Sequence, residues 1–121
     1  MSYKISVRTA SGGKGLIDPV QRKITDQVSA SSTKVVDTYD LTDSSSGDYS
    51  LSLFNKTEGV VKKMTISFAY TGSSIIDTVS GKIGNLSNIE VNINLSGSNV
   101  EMEIVNNNSY HIDVALARLI L

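Results

Sequence analysis

Two stretches near the end of the chain decide the fold: IEVNINLS at residues 89–96 and IDVALARLIL at residues 112–121. Large apolar side chains recur there at every second position, and VEMEI at residues 100–104 repeats the pattern between them. Such a period places successive side chains on opposite faces of a β-sheet. The polar tetrapeptides SGSN and NNNS separate the three stretches. The last third of the chain therefore predicts a β-meander with one buried and one solvated face.

Shorter alternating or β-branched segments, separated by Gly, Ser, Asn and Asp, extend this pattern toward the start of the chain. They predict strands over residues 3–7, 20–28, 34–41, 49–53, 60–71 and 75–79. The spacing of Val20, Ile24 and Val28 also allows a short helical face, but the β-branched residues of this segment favour a strand. Residues 81–88 contain two glycines and are predicted to form a loop.

The number of segments indicates the architecture. Roughly eight to nine short strands with turn signals every 8–12 residues are typical of an antiparallel β-sandwich, either a jelly roll or an immunoglobulin-like fold. We predict that residues 35–121 form this domain. Residues 1–34 are rich in Gly and Ser and alternate less regularly, so we expect an N-terminal arm or an added edge hairpin there.

The composition argues against several classes of function. Lys and Arg number 11 and Asp and Glu number 12, so the net charge of −1 gives no basic excess for binding nucleic acid. The absence of cysteine excludes disulfides, thiolate metal sites and cysteine nucleophiles. No apolar run has the length of a signal peptide or a membrane helix, so we expect synthesis in the cytoplasm and no membrane partner.

The side chains give little sign of a catalytic or metal site. His111 is the only histidine, and its phase in the last strand predicts an exposed or interface residue. Four aspartates cluster near one predicted strand and the loop after it: Asp37, Asp40, Asp43 and Asp48. Carboxylates can bind Ca²⁺, but this spacing does not match an EF-hand and Asp is an ordinary turn residue. We therefore predict no catalytic residue, no metal and no cofactor.

Tyrosines offer one weak candidate for ligand binding. Aromatic side chains on β-sandwiches can stack against sugars, and four tyrosines occur at strand positions: Tyr39, Tyr49, Tyr70 and Tyr110. Tyrosine at such positions more often packs in the core or at an edge with its hydroxyl at the surface. The candidate ligand surface consists of Tyr70, Tyr110 and His111, and a carbohydrate-binding or receptor-binding module is the alternative function.

The end of the last strand is the candidate subunit interface. Arg118 occupies a position where the alternation points inward, and a lone buried charge is costly unless it is paired. We expect it at the sheet rim or against a carboxylate of another subunit. The chain then ends with Leu119, Ile120 and Leu121, an apolar end that favours burial in a central strand or a subunit contact.

Five segments, taken in order, resemble a β-sandwich domain found in virion structural proteins of tailed bacteriophages. They are VVDTYDL (35–41), GDYSLSLFN (47–55), KKMTISFAY (62–70), INLSGSNVEMEIV (93–105) and IDVALARLIL (112–121). The first is similar to the family's opening strand, and the fourth to a hairpin whose turn leads into an alternating strand. The last is similar to a closing strand that ends with an arginine and an apolar tail.

The resemblance implies a non-enzymatic building block of a phage particle, in a head-decoration, neck or tail-associated position. It implies a homo-oligomer, with a trimer favoured, whose partners are other virion proteins. Such a protein is made in the host cytoplasm, is located in the virion and needs no cofactor.

Overall fold

A computed structural model of the chain describes residues 21–41 and 45–120. Within these ranges the chain forms strands, turns and loops, without helices. The strands are β1 (Gln21–Val28), β2 (Ser32–Asp40), β3 (Ser46–Asn55), β4 (Val60–Tyr70), β5 (Ile75–Gly84), β6 (Ile89–Ser96), β7 (Asn99–Asn106) and β8 (Ile112–Ile120). The strand predicted over residues 3–7 lies outside the described residues.

The eight described strands form two antiparallel sheets. The larger sheet has the order β1-β8-β3-β4-β5, and the smaller has the order β2-β7-β6. The last strand, β8, lies in the interior of the larger sheet between β1 and β3. The all-β class and the antiparallel β-sandwich predicted from the sequence are confirmed.

One hydrophobic core fills the space between the sheets. The alternating apolar positions face it, and several of these side chains are almost completely buried: Tyr49, Leu51, Leu53, Ile66, Val100, Met102, Ile104, Ile112 and Val114. Burying a large apolar side chain contributes about 1.5–3 kcal/mol relative to leaving it in water. Burial of the apolar side chains at these alternating positions is therefore a main favourable contribution to the free energy of folding.

β1 is one edge of the larger sheet. It pairs along its whole length with β8, from Gln21 opposite Leu119 to Val28 opposite Ile112. The strand interpretation of this segment is confirmed, and the helical alternative is wrong. The division of the chain into an arm (1–34) and a sandwich domain stays a prediction, and residues 1–20 lie outside the described residues.

The predicted loop over residues 81–88 was wrong in its first part, because β5 continues to Gly84. Gly81 and Lys82 together lie opposite Met64 of β4, which is the pattern of a β-bulge. Gly81 has a φ of 61°, a conformation that glycine adopts without the steric cost of a Cβ atom. Gly81 therefore allows β5 to continue through the bulge instead of ending there.

Candidate functional site

Arg118 is the inward charged residue of β8, as the alternation predicts. Its neighbours on the same face, Leu116 and Ile120, belong to the core, and Arg118 itself is only 7% exposed. Its Nη1 donates a hydrogen bond of 2.8 Å to Oδ2 of Asp37 and a longer one of 3.3 Å to the carbonyl oxygen of Thr38. The carboxylate that pairs with Arg118 thus belongs to the opposite sheet of the same chain rather than to a second subunit.

A β-bulge in β2 turns Asp37 toward the core. Val35 lies opposite Glu103 and Asp37 lies opposite Met102, so Val36 is an extra residue between them. As a result Val36 and Asp37 are both buried, although they are adjacent in the chain. Regular alternation would place one of the two in solvent. Bulges change the direction of side chains in this way, and this one brings the carboxylate to Arg118.

Two tyrosines complete this group of residues, which we call the buried polar cluster: Arg118, Asp37, Tyr49 and Tyr39. The Tyr49 hydroxyl donates a hydrogen bond of 2.8 Å to the same Oδ2 of Asp37. Burial, and next the Asp37 charge, raise the pKa of Tyr49 well above its ordinary value, so its hydroxyl stays protonated and can donate. Cζ of Arg118 lies 5.0 Å from the centroid of the Tyr39 ring, a cation–π contact. The cluster connects the two sheets and is a structural feature of the sandwich.

The predicted subunit interface at residues 118–121 is divided by the alternation of β8. Arg118 and Ile120 face the core and are buried, whereas Leu119 lies on the outer face and is 37% exposed. Leu121 lies outside the described residues. Contact of this strand end with a second subunit stays a prediction, and Leu119 is the member that the structure exposes for it.

Two buried asparagines hold the loop before β8. Nδ2 of Asn106 donates to the carbonyl oxygens of Tyr110 at 2.9 Å and Ser29 at 3.1 Å. Its Oδ1 accepts the backbone N–H of Asn108 at 3.0 Å, and Nδ2 of Asn108 donates to the carbonyl oxygen of Ser87 at 3.0 Å. These bonds join three connections between strands. The sequence predicts a turn at this asparagine run, but it carries no signal for which carboxamides are buried.

The sequence matches no protein-family model and no curated protein.

The structure does not bring the predicted ligand residues together. Tyr70 ends β4 beside the first residues of β3, whereas Tyr110 and His111 precede β8 beside the last residues of β3. β3 has ten residues and separates these two ends by about 30 Å. Tyr39 and Tyr49 are buried in the core. Within one copy, the four tyrosines at residues 39, 49, 70 and 110 thus form no continuous platform for a sugar.

His111 is exposed, in agreement with its phase in the sequence. Its side chain is 47% exposed, and Nε2 lies 3.7 Å from Oδ1 of Asp113, with which it forms an ion pair when the ring is protonated. Its carbonyl oxygen accepts a hydrogen bond of 2.8 Å from Nδ2 of Asn55, which fixes the backbone before β8. The ring therefore faces solvent and a single surface carboxylate.

Of the four aspartates considered for calcium, the structure describes Asp37, Asp40 and Asp48, and it does not gather these three into a metal site. Asp37 is buried and paired with Arg118, Asp40 is exposed, and Asp43 lies outside the described residues. In the part of the chain that the structure describes, no group of three or more His, Cys, Asp or Glu residues could hold a metal ion. The same part contains no helix long and apolar enough to cross a membrane.

Proposed function

We propose that this chain is a non-enzymatic structural protein of a tailed-bacteriophage particle, in a head-decoration, neck or tail-associated position. It acts by associating with copies of itself and by binding other virion proteins, and it is made in the host cytoplasm before assembly. One observation carries the proposal: five segments between residues 35 and 121 resemble, in order, the β-sandwich domain of such proteins.

The position of these segments in the fold supports the proposal. Residues 35–40 of VVDTYDL fall in β2, GDYSLSLFN falls in β3, KKMTISFAY in β4 and residues 112–120 in β8, while INLSGSNVEMEIV spans the hairpin of β6 and β7. The resemblance thus falls on strands of both sheets and on the turn that joins two of them. It concerns the elements that build the sandwich rather than isolated loops.

The distribution of polar and apolar groups also favours a binding role over a catalytic one. The inward charge pair of Arg118 and Asp37 is used within the fold. Large apolar side chains are instead exposed on the surface that the structure describes, at Val35, Val61, Ile76, Val79, Ile83 and Leu119. Three of them, Ile76, Val79 and Ile83, lie on one edge strand, β5, and an exposed edge strand with apolar side chains favours pairing with another protein chain. The resemblance favours a trimer as the assembled form.

The proposal is tested on particles purified by density-gradient sedimentation from a lysate in which the chain is made. Mass spectrometry measures its amount relative to the main capsid protein, and gold-labelled antibodies locate it by electron microscopy. We expect a fixed number of copies per particle that survives a second gradient, and labelling at one position on the head, neck or tail. A chain found only in the soluble fraction, with unlabelled particles, contradicts the proposal.

A further inference from the structure

β5 forms one edge of the larger sheet and pairs, among the described strands, with β4 alone. Almost every residue of this ten-residue strand is exposed. Ile76 is 62% exposed, Ile83 is 65% exposed and Val79 is 41% exposed. An edge strand of this length presents a row of backbone N–H and C=O groups that can pair with a strand of another chain.

The inner face of β5 is incompletely covered at Val79. Val79 lies opposite Ile66, a core residue that is 1% exposed, so its side chain is on the inner face of the larger sheet. It is nevertheless 41% exposed, whereas Ile66 opposite it is buried. The inner face of β5 thus presents an apolar side chain that the described part of the chain leaves partly uncovered.

The sequence of β5 is self-complementary about Val79. Lys63 pairs with Ile83 and Thr65 pairs with Ser80, so between these pairs β5 has two residues, Gly81 and Lys82, where β4 has one. The two residues therefore occupy one position in the pairing of the strand. Positions at equal distance from Val79 then match as follows: Thr78 with Ser80, Asp77 with Lys82, Ile76 with Ile83, and Ile75 with Gly84. The match places hydroxyl against hydroxyl, acid against base and isoleucine against isoleucine.

The bulge makes this match compatible with the two faces of the sheet. Ile76 and Ile83 are seven residues apart and would point to opposite faces in a regular strand. They instead lie opposite Ala69 and Lys63, which are both on the outer face. Without the extra residue at Gly81, Ile76 of one copy and Ile83 of the other would lie on opposite faces of the joined sheet.

We propose that β5 is the strand through which two copies of this chain associate, as antiparallel edge strands related by a two-fold axis at Val79. The pairing joins two five-stranded sheets into one continuous sheet of ten strands. The inference rests on the proposed self-association and gives it a surface and a symmetry. Because the contact is two-fold, it produces an even number of copies, either a dimer or, if trimers also form, a hexamer.

The charges of β5 favour this orientation. Asp77 and Lys82 are exposed, and neither takes part in an ion pair within the residues that the structure describes. In the antiparallel pair each Asp77 faces Lys82 of the second copy, and symmetry repeats the contact. A parallel pair in the same register would set like charges side by side, which is unfavourable.

The test measures the molar mass of the full chain by light scattering across a concentration series. Val79→Lys places two ammonium groups opposite each other at the axis and should raise the dissociation constant by about ten-fold or more. Val35→Lys is the matched control, since Val35 is also 41% exposed and lies on β2, an edge strand of the smaller sheet. Circular dichroism checks that both variants fold.

Charge reversal gives a second test of the contact, which does not depend on the burial of apolar side chains. Asp77→Lys or Lys82→Asp alone sets like charges together in both halves of the contact and should weaken association. The double variant Asp77→Lys/Lys82→Asp restores opposite charges across the axis and should recover most of the wild-type affinity. A double variant that is as weak as the sum of the two single variants overturns the proposed register.

The possible results separate the two proposals. A wild-type chain that stays monomeric at high concentration contradicts both the self-association and the β5 contact. A wild-type trimer supports the self-association but overturns the two-fold contact. An even-numbered assembly that Val79→Lys weakens no more than Val35→Lys overturns the β5 contact alone. An even-numbered assembly that only the β5 variants dissociate supports both.

Discussion

Arg118 Nη1 lies 2.8 Å from Asp37 Oδ2, although the two residues are 81 positions apart in the chain and belong to different sheets. Their side chains are 7% and 1% exposed, so both charges have left water. The attraction in such a pair is largely offset by the cost of desolvation, but a single charge left behind is strongly unfavourable. The pair therefore penalises any packing of the sheets that separates the two residues.

Replacing Asp37 with Asn should destabilise the fold severely. The substitution keeps the shape of the side chain but leaves the Arg118 charge buried without its counter-charge, at a cost of about 3–5 kcal/mol. Urea unfolding measures the loss. Glu90→Gln is the control, because it removes one acidic charge from an exposed position of β6 and should change stability by less than about 0.5 kcal/mol. Equal losses in the two variants contradict the structural role of the pair.

The sequence could predict one member of this pair but not the other. The alternation of β8 places Arg118 inward, and physical chemistry then requires a counter-charge. Asp37 could not be identified, because Val36 and Asp37 break the period of two and a bulge has no reliable sequence signal. The length of β5 was missed for the same reason, since Gly81 is read as a loop residue unless the pairing partner is known.

A side chain at Gly47 should destabilise the fold. A Cβ atom there would lie 2.7 Å from Cδ1 of Ile120, 2.8 Å from the carbonyl oxygen of Leu119 and 3.1 Å from the Phe68 ring. The carbonyl cannot move without disturbing the pairing of β3 with β8, so Gly47→Ala should cost about 1–3 kcal/mol. Thermal unfolding compares it with Ser46→Ala. An unchanged midpoint for Gly47→Ala would show that β3 and β8 are less closely packed.

Asn106 should be essential to the loop before β8, whereas its neighbour Asn107 should not. Asn106→Ala leaves the carbonyl of Tyr110 and the backbone N–H of Asn108 without their partner, at about 1–3 kcal/mol for each group that stays buried and unsatisfied. Asn107 is exposed, and its backbone bond to the carbonyl of Asn88 survives Asn107→Ala. Chemical denaturation should show a large loss for the first variant and little change for the second.

The surface ion pair between Lys34 and Asp26 should give a small, pH-dependent contribution. Nζ lies 2.7 Å from Oδ1, and the hydrogen bond from Lys34 lowers the pKa of Asp26 below 3.8. A carboxylate with a lowered pKa stabilises the fold above pH 3.8, and the contribution is lost as the pH falls through the lowered value. Because the pair is partly exposed, we expect about 0.2–1 kcal/mol.

Lys34→Met measures this contribution. The difference in unfolding free energy between the wild type and the variant should be present at pH 7 and should shrink toward zero as Asp26 becomes protonated in both states. A difference that stays constant down to pH 2 would mean that Lys34 acts through packing of its aliphatic stem instead of its charge.

The most direct test of the proposed β5 contact is disulfide trapping at its two-fold axis. The chain contains no cysteine, so Val79→Cys introduces a single thiol. Directly opposed residues in antiparallel strands have Cα atoms about 4.5–5.5 Å apart, which is within the range of a disulfide. Under mild oxidation we predict that Val79→Cys forms covalent dimers at concentrations where Val35→Cys stays monomeric. Equal cross-linking of the two variants would contradict the pairing of two copies through β5. So would the absence of cross-linking in Val79→Cys under conditions where the wild type self-associates.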